Sequence, residues 1–225
     1  MSHTAAATSQ APAATSRRSR WPLVGAAAGL TGTTATLATD VRGPEPVSEA
    51  NFLEVLSRPT YHVSVVAGYA TVALLLVLAA QWRRRVEPRV RHSTAAHVVP
   101  LGLVTAAAAL CLGYGWKGAM AIYLPGGLNA GLYDRAGLYV YYLLNDFGSF
   151  IGWLGVTVTA GAVACMALRE RTISRWIGVI SLLPVLSTAA YVALTGLPGA
   201  PGLTGSVWLL VAFTGLALGR STISR

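Results

Sequence analysis

Long stretches without a charged residue dominate the chain and restrict its fold more than any other feature. Residues 63–82, for example, contain no Asp, Glu, Lys or Arg and consist mainly of Ala, Val and Leu. A helix of about 20 such residues crosses the hydrocarbon core of a bilayer. Charged residues make up 11% of the 225 residues, against about 25% in a typical soluble domain. The sequence therefore predicts an all-α, polytopic membrane helix bundle.

Six apolar stretches predict six transmembrane helices within one domain. They cover residues 21–39, 62–82, 98–116, 147–168, 176–195 and 203–219. Residues 1–20 are rich in Ala, Ser and Thr, which is typical of a disordered tail, and residues 220–225 form a second short tail. The alternative for the first stretch is a cleavable signal sequence, because arginines precede it. The lack of an Ala-x-Ala motif near its end favours a retained span.

The distribution of basic residues predicts the orientation of these helices. Thirteen of the 17 basic residues fall on one side of the predicted membrane: Arg17, Arg18, Arg20, Arg83, Arg84, Arg85, Arg89, Arg91, Arg169, Arg171, Arg175, Arg220 and Arg225. Arg42, Arg58, Lys117 and Arg135 fall on the other side. By the positive-inside rule, both termini are cytoplasmic. We expect Arg83, Arg84 and Arg85 to contact anionic inner-leaflet lipids, and we expect no nucleic-acid partner.

Composition and aromatic placement add two expectations about the setting of the protein. The high ratio of arginine to lysine, with abundant Ala and Gly, is typical of a bacterial genome of high GC content, so we predict a multi-pass protein of the plasma (inner) membrane. Four of the six tryptophans, Trp21, Trp82, Trp116 and Trp176, lie at predicted span ends. Tryptophan is enriched there in membrane proteins, as an aromatic belt.

Residues 136–168 do not fit a single span. As one helix, these 33 residues would be about 50 Å long, against a hydrocarbon core of about 30 Å. Either the helix projects from the membrane, or its outer third, LYVYYLLND, is a separate interfacial or re-entrant piece. The sequence favours a break near Gly148.

The segment between the third and fourth spans holds the weak candidates for catalysis: Lys117, Asp134, Tyr142 and Asp146. Polar groups, aromatic rings and glycines gathered at one membrane face could form a pocket for an amphiphile. The structural alternative is that Asp146 caps the fourth span by accepting from the Ser149 amide, and that Lys117 is an interfacial anchor. That alternative is favoured, because ionisable groups indicate function mainly at real membrane depth.

No cofactor or metal site is predicted. The chain contains no GxSxG, Walker or HExxH motif. Its histidines do not pair at mid-membrane depth, so ligation of haem between two spans is not expected.

Small residues define two helix faces. Gly25, Gly29, Gly32 and Thr36 lie on one face of the first span. Gly148, Gly152 and Gly155 form a second face. Such faces allow two helices to approach closely, here within the bundle or in self-association.

Two segments carry a resemblance to known proteins. In the first, ANFLEVL follows an acidic outer loop and precedes span two; with Ser48 before it, this segment predicts a short capped helix whose Phe52, Val55 and Leu56 lie on the membrane surface. In the second, SRWIGVISLLPVL enters span five. This layout resembles a class of uncharacterised bacterial multi-spanning membrane proteins, recorded as a domain of unknown function. The resemblance implies a multi-spanning fold and carries no catalytic residues to this chain.

Three functions therefore compete. The first is a non-enzymatic scaffold or accessory subunit of a membrane complex, suggested by the small-residue faces. The second is a membrane enzyme acting on a lipid or isoprenoid at the outer face, with Asp146 as acid, base or charge stabiliser. The third is a small-solute transporter, for which the Thr-rich first span is the only hint.

Overall fold

A computed structural model of the chain describes residues 20–39, 48, 50–197 and 199–219. Within these ranges the protein consists of helices, without a β-strand. The α-helices are α1 (Leu23–Leu37), α2 (Phe52–Val55), α3 (Arg58–Arg85), α4 (Thr94–Tyr123), α5 (Arg135–Gly152), α6 (Leu154–Leu168), α7 (Arg175–Thr195) and α8 (Pro201–Leu218), and a 3-10 turn at Glu87–Arg89 joins α3 to α4. The prediction of an all-α bundle is confirmed.

Five apolar helical segments are long enough to cross a membrane: α3, α4, α5 together with α6, α7 and α8. Helix α1 is apolar but has only 15 residues. It is therefore about 22 Å long, which is shorter than a hydrocarbon core of about 30 Å. The sixth span, predicted at residues 21–39, stays a prediction.

The helices pack as neighbours around α1 and α4. Helix α1 lies against α3 and α8, and α4 lies against α3, α5 and α6. Helix α7 packs on α6 and α8. One large apolar core joins these helices, and a smaller second core gathers under α2 between the ends of α3, α4 and α5.

Glycines permit the closest helix contacts, as the small-residue faces predicted. A Cβ atom on Gly29 would lie 2.3 Å from the backbone nitrogen of Leu210 in α8. A Cβ atom on Gly155 would lie 2.5 Å from the backbone nitrogen of Ala106 in α4. Both faces are therefore used inside the molecule, where backbone meets backbone.

The break predicted near Gly148 is wrong. Helix α5 contains the whole LYVYYLLND segment and continues through Gly148 to Gly152. Gly148 packs against the Trp116 ring and the Gly113 backbone, so its lack of a side chain serves close approach. Helix α5 instead ends before Trp153. There the backbone hydrogen bonds span three residues instead of four, as in the bond from the Trp153 N–H to the Phe150 carbonyl.

Two of the four tryptophans predicted for an aromatic belt lie in the core instead. Trp21 and Trp82 are buried and meet edge to face, with ring centroids 6.0 Å apart. The Trp82 indole N–H donates to the Ala96 carbonyl at 2.9 Å. Pro100 lies inside α4 and has no N–H to donate to that carbonyl four residues earlier, so the tryptophan takes its place.

The short helix before α3 also differs from expectation. Phe52 was predicted to lie on the membrane surface, but it is fully buried. Its ring packs against Tyr139 and Tyr142 of α5, with centroid distances of 5.4 Å and 6.2 Å. Helix α2 therefore covers the second core of the protein.

Candidate functional site

The carboxyl end of α1 lies in the interior of the bundle. The Ala38 N–H donates to the Thr34 carbonyl, but because α1 ends at Leu37 the carbonyls after Thr34 lack the next helical turn that would supply donors. Other helices supply the donors. The Ser64 hydroxyl of α3 donates to the Ala35 carbonyl, and the Lys117 ammonium of α4 donates to the Ala35 and Thr36 carbonyls at 3.1 Å and 3.4 Å.

Lys117 is one of the most buried side chains of the protein, with 1% of its surface exposed. The sequence placed it just beyond the third span, as an outer anchor. It lies inside the structure because α4 continues to Tyr123, and its ammonium also donates to the Thr39 hydroxyl. A cation at the carboxyl end of a helix is favourable, because that end carries partial negative charge. The expectation of an interfacial anchor is corrected accordingly.

Thr36 connects the same helix end to two further elements. Its hydroxyl accepts from the Trp153 indole N–H at 3.1 Å and lies 3.3 Å from the Tyr114 hydroxyl. Trp153 stands at the junction of α5 and α6, and Tyr114 lies one turn before Lys117 on α4. One polar cluster therefore holds α1, α3, α4 and the α5–α6 junction together.

Asn145 is the unusual member of this region. It is 5% exposed, and neither its Oδ1 nor its Nδ2 atom has a hydrogen-bond partner. On α5 it lies about one turn after the buried Tyr142 and about one turn before the buried Gly148. Since Gly148 packs against Gly113 of the antiparallel α4, one turn outward on each helix brings Asn145 and Lys117 to the same level.

Aromatic rings close the end of this interior that lies beneath α2. Tyr139 and Tyr142 stack with centroids 5.8 Å apart beneath Phe52. A second group forms where α4 ends and α5 begins. It consists of Tyr123, Tyr133 and Tyr141, with ring centroids 4.8 Å to 5.9 Å apart. These contacts fix the outer part of α5 against α4.

The structure brings together only part of the predicted site. Lys117 and Tyr142 are both buried, Lys117 in the polar cluster and Tyr142 in the second core. Asp134 is instead the N-cap of α5, accepting from the Gly137 amide at 2.8 Å. It lies 11 residues before Asn145, which corresponds to about 16 Å along the helix.

Asp146 cannot cap a helix as proposed from the sequence, because its backbone is in the middle of α5. Its side chain, like that of Ser149, lies outside the described residues.

Sequence reasoning missed the contributions of Ser64, Tyr114 and Trp153. Each is a residue with a hydrogen-bonding group inside or next to an apolar run. That property was a usable signal, since a buried polar group requires a partner. Which partner it has depends on helix packing that the sequence does not display.

An apolar groove of about 530 Å³ lies between α4 and α5 on the outside of the bundle. This volume is within the range of small-molecule sites, roughly 300–1,000 Å³. It is lined by Ala109, Leu112, Trp116, Val140, Leu143, Leu144, Phe147, Gly148, Ile151 and Gly152. Leu144 and Gly148 line the groove, whereas the buried side chain of Asn145 does not.

In the part of the chain that the structure describes, no three His, Cys, Asp or Glu side chains are grouped so that they could hold a metal ion.

Comparison with known proteins gives no further assignment. No family model, no curated protein and no solved structure matches the chain.

Proposed function

We propose that the protein is a non-enzymatic subunit or scaffold of a complex in the bacterial plasma membrane. The apolar helices support a multi-pass membrane protein. The observation that carries the proposal is the structural role of Lys117. An intramembrane cation is by default a functional candidate, but here its ammonium caps α1 and holds two helices together.

The hydroxyl groups of the first span support the same proposal over a transporter. Thr31 and Thr71 join α1 to α3 through their hydroxyls at 2.8 Å, and Thr36 joins α1 to Trp153. Threonines that pair helices are occupied with packing. These threonines were the only sequence feature that suggested a transporter. Because they bond to neighbouring helices, they do not indicate a path for a solute.

The test is native mass spectrometry of the chain extracted in a mild detergent from its own membrane. We expect a reproducible complex in which the chain is present at fixed stoichiometry with a second membrane protein or with itself. A spectrum that contains only the single chain across several mild detergents would contradict the proposal.

We further propose that the inner face of this subunit contacts anionic lipids through Arg83, Arg84 and Arg85. These residues form the last turn of α3, and the Arg83 side chain is 71% exposed. Juxtamembrane arginines attract anionic headgroups by about 1 kcal/mol each. Replacing all three by Gln should lower the amount of co-purified phosphatidylglycerol, measured by lipid mass spectrometry, and leave phosphatidylethanolamine unchanged.

A second candidate is an enzyme acting on a lipid or isoprenoid at the outer face, and the groove between α4 and α5 favours it. In this candidate Asp146, in the middle of α5, supplies the acid or base. The test compares whole-cell lipids of the wild type with those of Asp146→Asn. Accumulation of one lipid class in the variant would support the enzyme, and unchanged lipid pools would exclude this role for Asp146.

A further inference from the structure

We propose that the protein binds one anionic phospholipid, such as phosphatidylglycerol, where α7 begins and α8 ends. An acyl chain of the lipid lies in a groove between these two helices, and the phosphate lies among the arginines at the mouth of that groove. The site is separate from Arg83, Arg84 and Arg85, which end α3. It requires neither a partner protein nor chemical turnover, so it goes beyond the scaffold role.

The first support is the shape of the α7–α8 groove, which has a volume of about 570 Å³. Trp176 of α7 forms one wall, and side chains between Leu210 and Gly219 of α8 form the other. From Leu210 to Leu218 the groove extends about 12 Å along the helix axis. One leaflet contributes about half of a 30 Å hydrocarbon core. The groove therefore has the depth of a single leaflet, as an acyl chain requires.

The second support is that the groove opens at a charged end of the two helices. The Trp176 ring packs so closely on Gly215 that a Cβ atom there would lie 2.2 Å from it. The first turn of α7 is therefore level with the last turn of α8. Arg175 directly precedes Trp176, and its side chain is exposed. Trp176 itself is 48% exposed, and tryptophans at helix ends favour the level of the lipid headgroups.

Charge complementarity identifies the occupant as an anionic lipid. Arg169 and Arg171 lie in the short connection that leads into α7, and like Arg175 they are exposed. Glu170 is the acidic residue of this connection. Within the described residues it forms no ion pair with any of the three arginines. The guanidinium groups are thus available to a phosphate, which they bind in a bidentate manner. A lipid with a net negative charge compensates them better than a zwitterionic lipid.

The experiment titrates the purified full-length protein with lipid and follows binding by native mass spectrometry. The probes are dioleoyl phosphatidylglycerol and dioleoyl phosphatidylethanolamine, which share their acyl chains and differ in net charge. We expect the wild type to bind one phosphatidylglycerol more tightly than any phosphatidylethanolamine. Arg175→Gln should weaken phosphatidylglycerol binding about fivefold, the factor that corresponds to about 1 kcal/mol for one arginine at the membrane surface.

The matched control for the charge is Arg91→Gln. Arg91 is exposed in the turn between α3 and α4, so this variant removes the same charge away from the groove. It should bind phosphatidylglycerol as the wild type does. Equal weakening by Arg175→Gln and Arg91→Gln would show that net charge, and not a site, attracts the lipid. Equal binding of the two lipids by the wild type would also overturn the proposal.

A second pair of variants tests the groove. Val211 lines the groove, whereas Val207 is exposed one turn away on the same helix and does not line it. Val211→Trp fills the groove and should weaken phosphatidylglycerol binding about tenfold or more. Val207→Trp adds the same bulk and should leave binding unchanged. Binding that is unaffected by Val211→Trp would place the acyl chain elsewhere and refute the site.

Melting temperatures separate loss of binding from loss of structure. Arg175 is exposed, so without added lipid Arg175→Gln should melt with the wild type. A lipid that binds the folded state raises the melting temperature, so phosphatidylglycerol should stabilise the wild type and Arg91→Gln more than Arg175→Gln. Equal stabilisation of all three would contradict the role of Arg175. The variant without Arg83, Arg84 and Arg85 should keep this lipid, and none of these results alters the native complex that tests the scaffold function.

Discussion

At the scale of single residues, a buried lysine sets the end of a helix. The Lys117 ammonium lies among carbonyls that α1 leaves unpaired, and it adds charge of the sign that a helix carboxyl end favours. Burial of a cation is unfavourable unless hydrogen bonds compensate it. Here the Lys117 ammonium donates to the Ala35 and Thr36 carbonyls, which would otherwise lack a donor. The ammonium and the carbonyls therefore satisfy each other's hydrogen-bonding groups inside the protein.

Replacing Lys117 by Met tests this exchange. The side chains have similar length, but Met cannot donate, so the Ala35 and Thr36 carbonyls lose a donor. We expect a destabilisation of about 1.5–3 kcal/mol, the range for hydrogen bonds to charged groups, measured as a lower melting temperature in detergent. The control is Arg83→Met, which removes a cation with a 71% exposed side chain and should change stability by less than about 0.5 kcal/mol. Equal effects of the two variants would refute the capping role.

Two threonines of α1 provide a matched pair for the second test. The Thr36 hydroxyl is buried and accepts from the Trp153 indole, whereas the Thr34 hydroxyl is exposed and bonds only within its own helix. Thr36→Val should therefore destabilise the protein by about 1–3 kcal/mol, because the indole N–H is left without its acceptor.

Thr34→Val keeps the same shape and should be close to neutral. The measurement is the melting temperature of both variants, followed through tryptophan fluorescence. Equal melting temperatures of the two variants would show that the hydrogen bond from Trp153 to Thr36 does not contribute to stability.

At the scale of elements, the short helix α1 depends on its contacts. It is too short to span a bilayer by length alone, so the close approach to α8 and α3 and the polar cluster at its end hold it in place. Gly29 is central to this contact, because a Cβ atom at this position would collide with the backbone of Leu210 and Ser206. The atoms that a side chain at this position would meet belong to the α8 backbone. Backbone in a helix cannot rotate away from a clash as a neighbouring side chain can.

Gly29→Ala is therefore expected to separate α1 from α8. Overpacking of this kind costs about 1–3 kcal/mol, and the melting temperature in detergent should fall. Gly161→Ala in α6 is the control, since its Cβ would find its nearest neighbour, Val185, at an ordinary 3.6 Å. A Gly29→Ala variant as stable as Gly161→Ala would mean that α1 and α8 are not in backbone contact.

The junction of α5 and α6 shows how an element boundary is decided by packing. The apolar run from residue 136 to residue 168 is too long for one span, and glycine was the obvious place for a break. Gly148 instead accommodates the Trp116 ring, so the helix continues. The change falls at Trp153, whose indole is held by Thr36 of α1. A contact distant in sequence thus accompanies the end of α5.

At the scale of the whole molecule, the alternation of arginine clusters predicts which ends of the helices face the cytoplasm. Arg83, Arg84 and Arg85 end α3, and Arg175 begins α7. The positive-inside rule predicts that these helix ends face the cytoplasm. The loop between α4 and α5 is predicted to lie on the opposite side. Leu128 is 87% exposed at its tip, which makes it a suitable reporter.

Cysteine labelling tests this orientation. In a background without Cys111 and Cys165, a membrane-impermeant maleimide should label Leu128→Cys in intact cells. His92→Cys, in the turn between α3 and α4, should react only after permeabilisation. Both positions are exposed, so a difference in labelling reports the side of the membrane. Labelling of His92→Cys in intact cells would contradict the predicted orientation.

The sequence by itself determined the class of the fold and the general course of the helices. Apolar runs of about 20 residues require a membrane-like surrounding, and backbone groups in that surrounding must be satisfied within helices. The final helix, predicted at residues 203–219, is found at Pro201–Leu218. The small-residue faces were also readable, because a missing side chain limits what can pack there.

Only the tertiary structure decided which polar residues meet. Lys117 and Ala35 are 82 positions apart, and Thr36 and Trp153 are 117 positions apart. Their pairing depends on which helices are neighbours and on the rotation of each helix about its axis. Local sequence does not encode either property, since apolar residues on all sides of a membrane helix give little indication of the face that turns inward. The same reason explains why Asn145 gave no distinct signal before its burial was known.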